Sequence, residues 1–299
     1  ETTDLLVEEP EAFRTALQAQ LKSGASYPAA RAYALRQCLP ALPAEFLSGA
    51  NNILSLEYLK AVRRLHSEMT PFPLLRSGQD YHNTDIIPDA FSSASAIRHS
   101  YEKASSLEKC ADAMPEAVYE LLAGHPDRFG ISLSDFDLLL YYALRRACLN
   151  GTLTGYGDIS TELANRIEKE LASYKDADSF ILSLKRKNIT YARISRCLFQ
   201  LLLEIPSTVC SGTMQPVPYL RLLGMRRSKS SYLRRITEVP IITKSANAWA
   251  QAASSPYSCA TDYLKIDFLA ADLYRQVLSH KTGCLIPDEY HSGVIIMED

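Results

Sequence analysis

Apolar residues recur at helical spacing most cleanly after Thr190. Ile194, Cys197, Leu198, Leu201 and Leu202 fall at i, i+3, i+4, i+7 and i+8, a stripe broad enough to dock on a core. Arg193, Arg196 and Gln200 share the opposite face, and Lys185, Arg186 and Lys187 stand just ahead of it. The spacing predicts a helix buried on one side and cationic on the other. The same period predicts a helix through Phe13, Leu17 and Leu21 and a second through Tyr33, Ala34, Leu35 and Cys38. A turn at 48–52 offers Asn51 and Asn52 side chains as caps for a third helix, with Leu54, Tyr58, Val62 and Leu65 facing inward. Phe72 to Arg76 reads as a short buried strand, 77–89 as polar loop, and 92–98 as the start of another helix.

From Glu116 onward the pattern is almost wholly helical: 117–123, 134–148 closed by Asn150-Gly151, 161–174 and 179–184, with the short connections of a bundle. Beyond Pro206 it changes. Residues 217–224 and 239–244 read as short strands flanking a basic helix at 228–236, and 262–280 as a final helix carrying Leu264, Phe268, Ala271 and Val277. The closing HSGVIIMED is expected as an edge strand. The fold class is mainly α with short strands, an α+β chain.

Composition adds the bounds. The 299 residues, 47% of them hydrophobic, suffice for two ordinary domains with a sizeable core. No run of about 18 apolar residues and no charged-then-apolar leader occurs, so neither a membrane span nor a secretion signal is expected. The 7 cysteines are odd in number and scattered, as expected of reduced core thiols in a cytoplasmic protein. The chain opens Glu1-Thr2-Thr3 without an initiator Met, so we expect it to be the remainder of a longer protein.

Charge changes the picture more. Lys185 to Lys244 holds 12 Lys plus Arg against Glu204 and Glu238, a local +10 inside a chain of net −2. Such asymmetry is the footprint of a polyanion site, most simply nucleic acid. A smaller anion site is expected at 92–98, where Ser93 and Ser95 stand at a helix start beside unpaired N–H groups, with Arg98 one turn on. Plain N-capping is the competing reading of those serines. No GxxxxGK[ST], GxGxxG, GxSxG or HExxH occurs, and His280, Cys284 and His291 are too loosely spaced to argue for a metal.

Seven blocks in one order then resemble a known family: ANNILSLEYLKAV (50–62), LLRSGQDYH (74–82), SSASAIR (92–98), ELANRI (162–167), LKRKNITYARISRCLFQLLLEI (184–205), PYLRLLG (218–224) and PIITK (240–244). They are similar to the bacterial tRNA(Met) cytidine acetate ligases. The resemblance implies a nucleotidyltransferase-type Rossmann domain that uses ATP, with Mg2+, to adenylate acetate. It further implies transfer of the acetyl group to N4 of the wobble cytidine of elongator tRNA(Met), held by a helical region. On that basis 1–105 would be the C-terminal portion of the ATP domain and 106–299 the mostly helical tRNA-binding domain.

The ATP contacts it implies are Asn51, Asn52, Arg76, Ser93, Ser95 and Arg98, with Ser95 standing where the family prefers Thr. The tRNA contacts are expected from the charge pattern, as one cationic surface of Lys185, Arg186, Lys187, Arg193, Arg196, Arg226, Arg227, Lys229, Arg234 and Arg235. One departure is large: the family's HxGH motif, whose histidines stabilise charge on the α-phosphate, occurs nowhere in the chain, so the catalytic residues are unassigned and this chain is expected to be inactive alone. Two other readings stay open, a nucleotidyltransferase adenylating another small molecule and a non-catalytic RNA-binding module.

Overall fold

The computed structural model describes residues 2–43, 46, 47, 49–75, 85, 86, 92–104, 106–125, 130–186, 189–210, 217–291 and 293–298. The chain divides into two compact units, Glu1–Ser77 and Gly78–Asp299. The first unit comprises α1 (Thr2–Glu8), α2 (Glu11–Lys22), α3 (Tyr27–Cys38) and α4 (Ala50–Arg64). Helix α2 packs on α3 and α1 on α4, closing a small core of Leu6, Phe13, Ala34, Leu35, Leu47 and Leu56. Arg31 reaches Glu57 at 2.6 Å, and Lys60 meets the same carboxylate at 3.1 Å, tying α3 to α4 beside that core.

Three expectations for this unit are corrected. Asn51 and Asn52 lie inside α4 rather than before it, because Gly49 takes the N-cap position and makes no side-chain cap bond. The stripe Leu54, Tyr58 and Leu65 faces outward, and Leu56 is the α4 residue that enters the core. Helix α4 thus has two apolar faces, and periodicity alone does not say which one docks. Residues 72–75 form no strand, and Leu75 is 98% exposed: with no partner strand among the described residues, the ladder that would bury this run is missing. Arg76 lies outside the described residues.

The second unit opens with α5 (Ala94–Ala104) and α6 (Glu116–Ala123), followed by α7 (Asp137–Asn150), α8 (Thr161–Glu170), α9 (Ala177–Leu184) and α10 (Tyr191–Leu202). Each end has a local cause. Gly151 closes α7 at φ +63, a left-handed C-cap that glycine adopts without Cβ strain. Ser160, Asp176 and Thr190 cap the next three helices, accepting from the N–H groups of Leu163, Ser179 and Arg193. The stripe expected after Thr190 faces inward: Ile194, Cys197 and Leu198 are fully buried against α7 and α9. The unit's largest core gathers them with Leu140, Leu144, Leu163, Ile167, Ile181 and Leu184.

After the short α11 (Ser207–Cys210) the chain turns to pieces of sheet. Strand β1 (Leu220–Arg221) and β2 (Gly224–Arg226) are separate, and the basic segment Arg227–Arg235 is a 3-10 helix with no buried residue. Strand β3 (Ile241–Ile242) pairs parallel with β1, Leu220 opposite Ile241. Helices α12 (Ala248–Ala253) and α13 (Ala260–Thr282) cover this pair, with Tyr219, Ile242, Ala252, Leu264 and Phe268 in a second core. The expected edge strand forms as β4 (Ile295–Met297), parallel to β2, with Gly224, Met225 and Arg226 opposite Ile295, Ile296 and Met297. No helix among the described residues is long and apolar enough to cross a membrane.

Helix α13 is pinned to the bundle by Lys281, whose Nζ lies 2.8 Å from Asp135. Burial opposes ionisation of that carboxyl, but Lys281 and the N–H and hydroxyl of Ser132 outweigh it and hold the pKa below its ordinary value. A depressed folded-state pKa stabilises above the unfolded value, about 3.9 for Asp, and the contribution disappears as pH falls through the folded value. Wild type is therefore expected to melt higher than Asp135→Asn near neutrality, with the gap closing below about pH 4, as thermal melts across pH would record. A gap independent of pH would mean that the carboxylate charge is not what pins the helix.

Candidate nucleic-acid interface

Two sets of predicted residues can be placed, and they fall in different units. Asn51 and Asn52 begin α4, where the Asn51 carbonyl accepts from Ser55 Oγ at 2.9 Å. The Asn52 amide folds back over the helix start: a Cβ added at Gly49 would meet its Nδ2 at 3.3 Å, so glycine leaves the space that this amide uses. Ser93, Ser95 and Arg98 belong to the second unit, and the structure brings all three to the start of α5.

Ser93 is 2% exposed, and its Oγ accepts from the Ala96 N–H at 3.0 Å, so it caps the helix. Ser95 and Arg98 are three residues apart on the same helical face. Ser92, which sequence reasoning passed over, has a buried Oγ with no hydrogen-bond partner among the described residues. The signal was its position beside Ser93, where a third hydroxyl at one helix start exceeds what capping requires. This arrangement suits phosphate oxygens, which accept from N–H, O–H and guanidinium together.

The predicted cations divide by what they touch. Arg186 Nη1 donates to the carbonyls of Lys185 and Ser183 at 2.7 and 3.2 Å, serving the C-terminal end of α9. A backbone bridge between Arg186 and Ile189 turns the chain from α9 into α10, and Lys187 within that turn lies outside the described residues. Arg193 is held by Asp158 in a bidentate pair along one guanidinium edge, Nε and Nη2 donating at 2.9 and 3.1 Å. Cys197 Sγ and Gln200 Oε1 bond the backbone of the same Asp158, so this side of α10 fastens the 156–159 turn. Gly157 sits there at φ +51, where a Cβ would come within 2.7 Å of Gln200 Cβ.

Arg227 lies on Glu298, the closest approach 2.8 Å, and Arg221 on Glu289. Arg235 rests over the Tyr232 ring at 5.1 Å. Lys185, Arg196, Arg226, Lys229, Arg234 and Arg235 have no acidic partner among the described residues. All but Arg196 and Lys185 come from β2 and the 3-10 helix after it, with β2 held by its pairing to β4. In the second core Tyr219 donates to Asp267 at 2.6 Å, and burial, then that bond, pushes its phenol pKa up, so it stays protonated.

The sequence matches the HIGH Nucleotidyl Transferase family over residues 1–284. The tRNA(Met) cytidine acetate ligase of Thermoanaerobacter sp. (strain X514) is 33% identical over 291 residues, which cover 94% of this chain and 68% of that protein. That of Clostridium acetobutylicum is 28% identical, covering 92% and 71%. Among solved structures, apo TmcAL of Thermotoga maritima superposes with a TM-score of 0.87 at 22% identity, over 100% of this chain and 73% of that one. The same protein bound with alpha-thio ATP superposes at 0.83. These likenesses establish a nucleotidyltransferase-type fold, and with the family match and the 33% relative, the chain belongs to the tRNA(Met) cytidine acetate ligase family of the HIGH nucleotidyl transferases.

Proposed function

We propose that this chain holds tRNA and supplies one wall of an ATP site in a tRNA(Met) cytidine acetate ligase of the cytoplasm. In the reaction, acetate oxygen attacks the α-phosphorus of ATP and pyrophosphate leaves. Cytidine N4 then attacks the acetyl carbonyl, losing a proton and expelling AMP. Ser93, Ser95 and Arg98 would hold phosphate oxygens, and the orphaned Ser92 hydroxyl fits that use. Asn51, Asn52 and Arg76 would contact the nucleotide elsewhere, and Mg2+ would arrive with the ATP. Among the 299 residues no HxGH is present, so we assign the charge-stabilising histidines to a further segment. The outward stripe of α4 and the exposed run at 72–75 offer an apolar surface on which such a segment could rest.

The observation that carries the RNA half is the set of cations without an acidic partner among the described residues, Lys185, Arg196, Arg226, Lys229, Arg234 and Arg235. Binding through phosphates releases counterions, with a slope of log affinity on log salt of about 0.7 to 0.9 per phosphate neutralised. With about four to six cations engaged, tRNA binding is expected to show a slope of about −3 to −5. Replacing Lys185 and Arg196 together by Ala should reduce affinity by about 2 to 4 kcal/mol and flatten the slope, with the melting point unchanged. Arg193 is left out of this pair because its guanidinium is fixed on Asp158, so Arg193→Ala reports on the fold as well. Equal tRNA binding by wild type and the double variant across a salt series would sink the assignment.

A further inference from the structure

Beside the unpaired cations lies a cavity of about 490 Å³, lined by none of the predicted ATP or tRNA contacts. Its size falls in the range of small-molecule sites, about 300 to 1,000 Å³. Met225, Leu233 and Val294 are among its apolar walls, and Thr243, Lys244, Ser245, Tyr290 and His291 supply its polar lining. The Tyr290 ring is held by two contacts: it packs tilted against Phe268, centroids 4.9 Å apart, and its hydroxyl accepts from Trp249 Nε1 at 3.0 Å. The Thr243 and Ser245 hydroxyls have no hydrogen-bond partner among the described residues.

The charge around the cavity is one-sided. No acid lines it among the described residues, and the acids within two residues of its lining are engaged: Glu289 by Arg221, Glu298 by Arg227, and Asp288 by His291 Nδ1 at 2.5 Å. Lys244 on its wall and Arg226 at the end of β2 have no acidic partner among the described residues. An apolar slot with two open hydroxyls between unpaired cations matches a flat, polar-edged ring flanked by phosphates. Unstacked nucleobases are bound in this way, faces against apolar or aromatic side chains and edges on hydrogen-bonding groups.

We propose that this cavity takes one unstacked nucleobase of the bound RNA, other than the cytidine that is acetylated, with its flanking phosphates on Arg226 and Lys244. The acceptor cytidine is excluded because it must reach the activated acetyl group. The proposal rests on the reading of this chain as an RNA binder.

The test uses the 299-residue chain with two RNAs of equal length and charge, a hairpin with a seven-nucleotide loop and a fully paired duplex. Wild type is expected to bind the hairpin about tenfold tighter or more at fixed salt. Ala246→Trp, which fills the cavity from an exposed position on its wall, should abolish that preference and leave duplex binding and its salt slope unchanged. Thr243→Val with Ser245→Ala keeps the shape, removes both hydroxyls, and should weaken the hairpin alone, which decides the matter if the tryptophan variant folds poorly. Equal loss on hairpin and duplex, or an unaltered preference in both variants, overturns the nucleobase site while leaving RNA binding intact. Wild type that binds neither RNA overturns the RNA reading itself.

Discussion

Residues 1–299 given ATP and acetate are expected to release pyrophosphate no faster than background, and to gain several orders of magnitude once a segment bearing an HxGH motif is supplied. The argument is electrostatic. Charge builds on the α-phosphate as pyrophosphate departs, and removing a single preorganised donor at such a centre commonly lowers turnover by about 10² to 10³. Losing two histidines at once compounds that, each factor of ten being about 1.4 kcal/mol of barrier. The groups at the start of α5, Ser92, Ser95 and Arg98 beside the Ser93 cap, are proposed to hold phosphate, a role that would not by itself stabilise that transition state. On the proposed reading, in which the chain supplies one wall of the site, ATP should bind weakly or undetectably. Robust acetate-dependent pyrophosphate release by these residues alone would falsify the assignment.

Leu198→Ala is expected to lower the melting temperature by about 5 to 15 °C, from a loss of about 2 to 5 kcal/mol in a domain of this size. Leu198 is fully buried in the middle of the stripe by which α10 docks on α7, in a core shared with α8 and α9. Truncation removes methyl groups and leaves a void that four packed helices cannot close. Arg196, on the exposed side of the same helix, should give the opposite result, normal melting with weakened tRNA binding. Thermal unfolding and binding measured on both variants separate the two faces. A Leu198→Ala protein that melts like wild type would mean that α10 is not where this core is held.

The α10 helix was legible because three local signals agree on it: the Thr190 cap, a single unbroken apolar stripe, and cations confined to the other side. Helix α4 was read inside out because it carries two apolar faces, and only the packing of Leu56 into the first unit's core decides between them. The run at 72–75 has strand composition, but a strand needs a partner that composition does not supply. The charge asymmetry was equally plain in the sequence, whereas its pairing was not. Asp158 lies 35 residues from Arg193, and Glu298 lies 71 from Arg227, separations at which no spacing rule operates. The described strands, two or three residues each and held by parallel partners, likewise leave only faint alternation to read.

The parallel register of β2 with β4 orders events in time. Gly224 pairs with Ile295, so the strand that begins the basic segment gains its partner only when nearly the whole chain is available. Contacts that close so long a loop form late, because the closure entropy precedes any reward from pairing. During synthesis the helical bundle can therefore collapse around α10 while the Arg226–Arg235 cations still lack their scaffold. The nascent chain would pass the ribosome, itself rich in RNA, before the surface proposed to bind RNA is assembled.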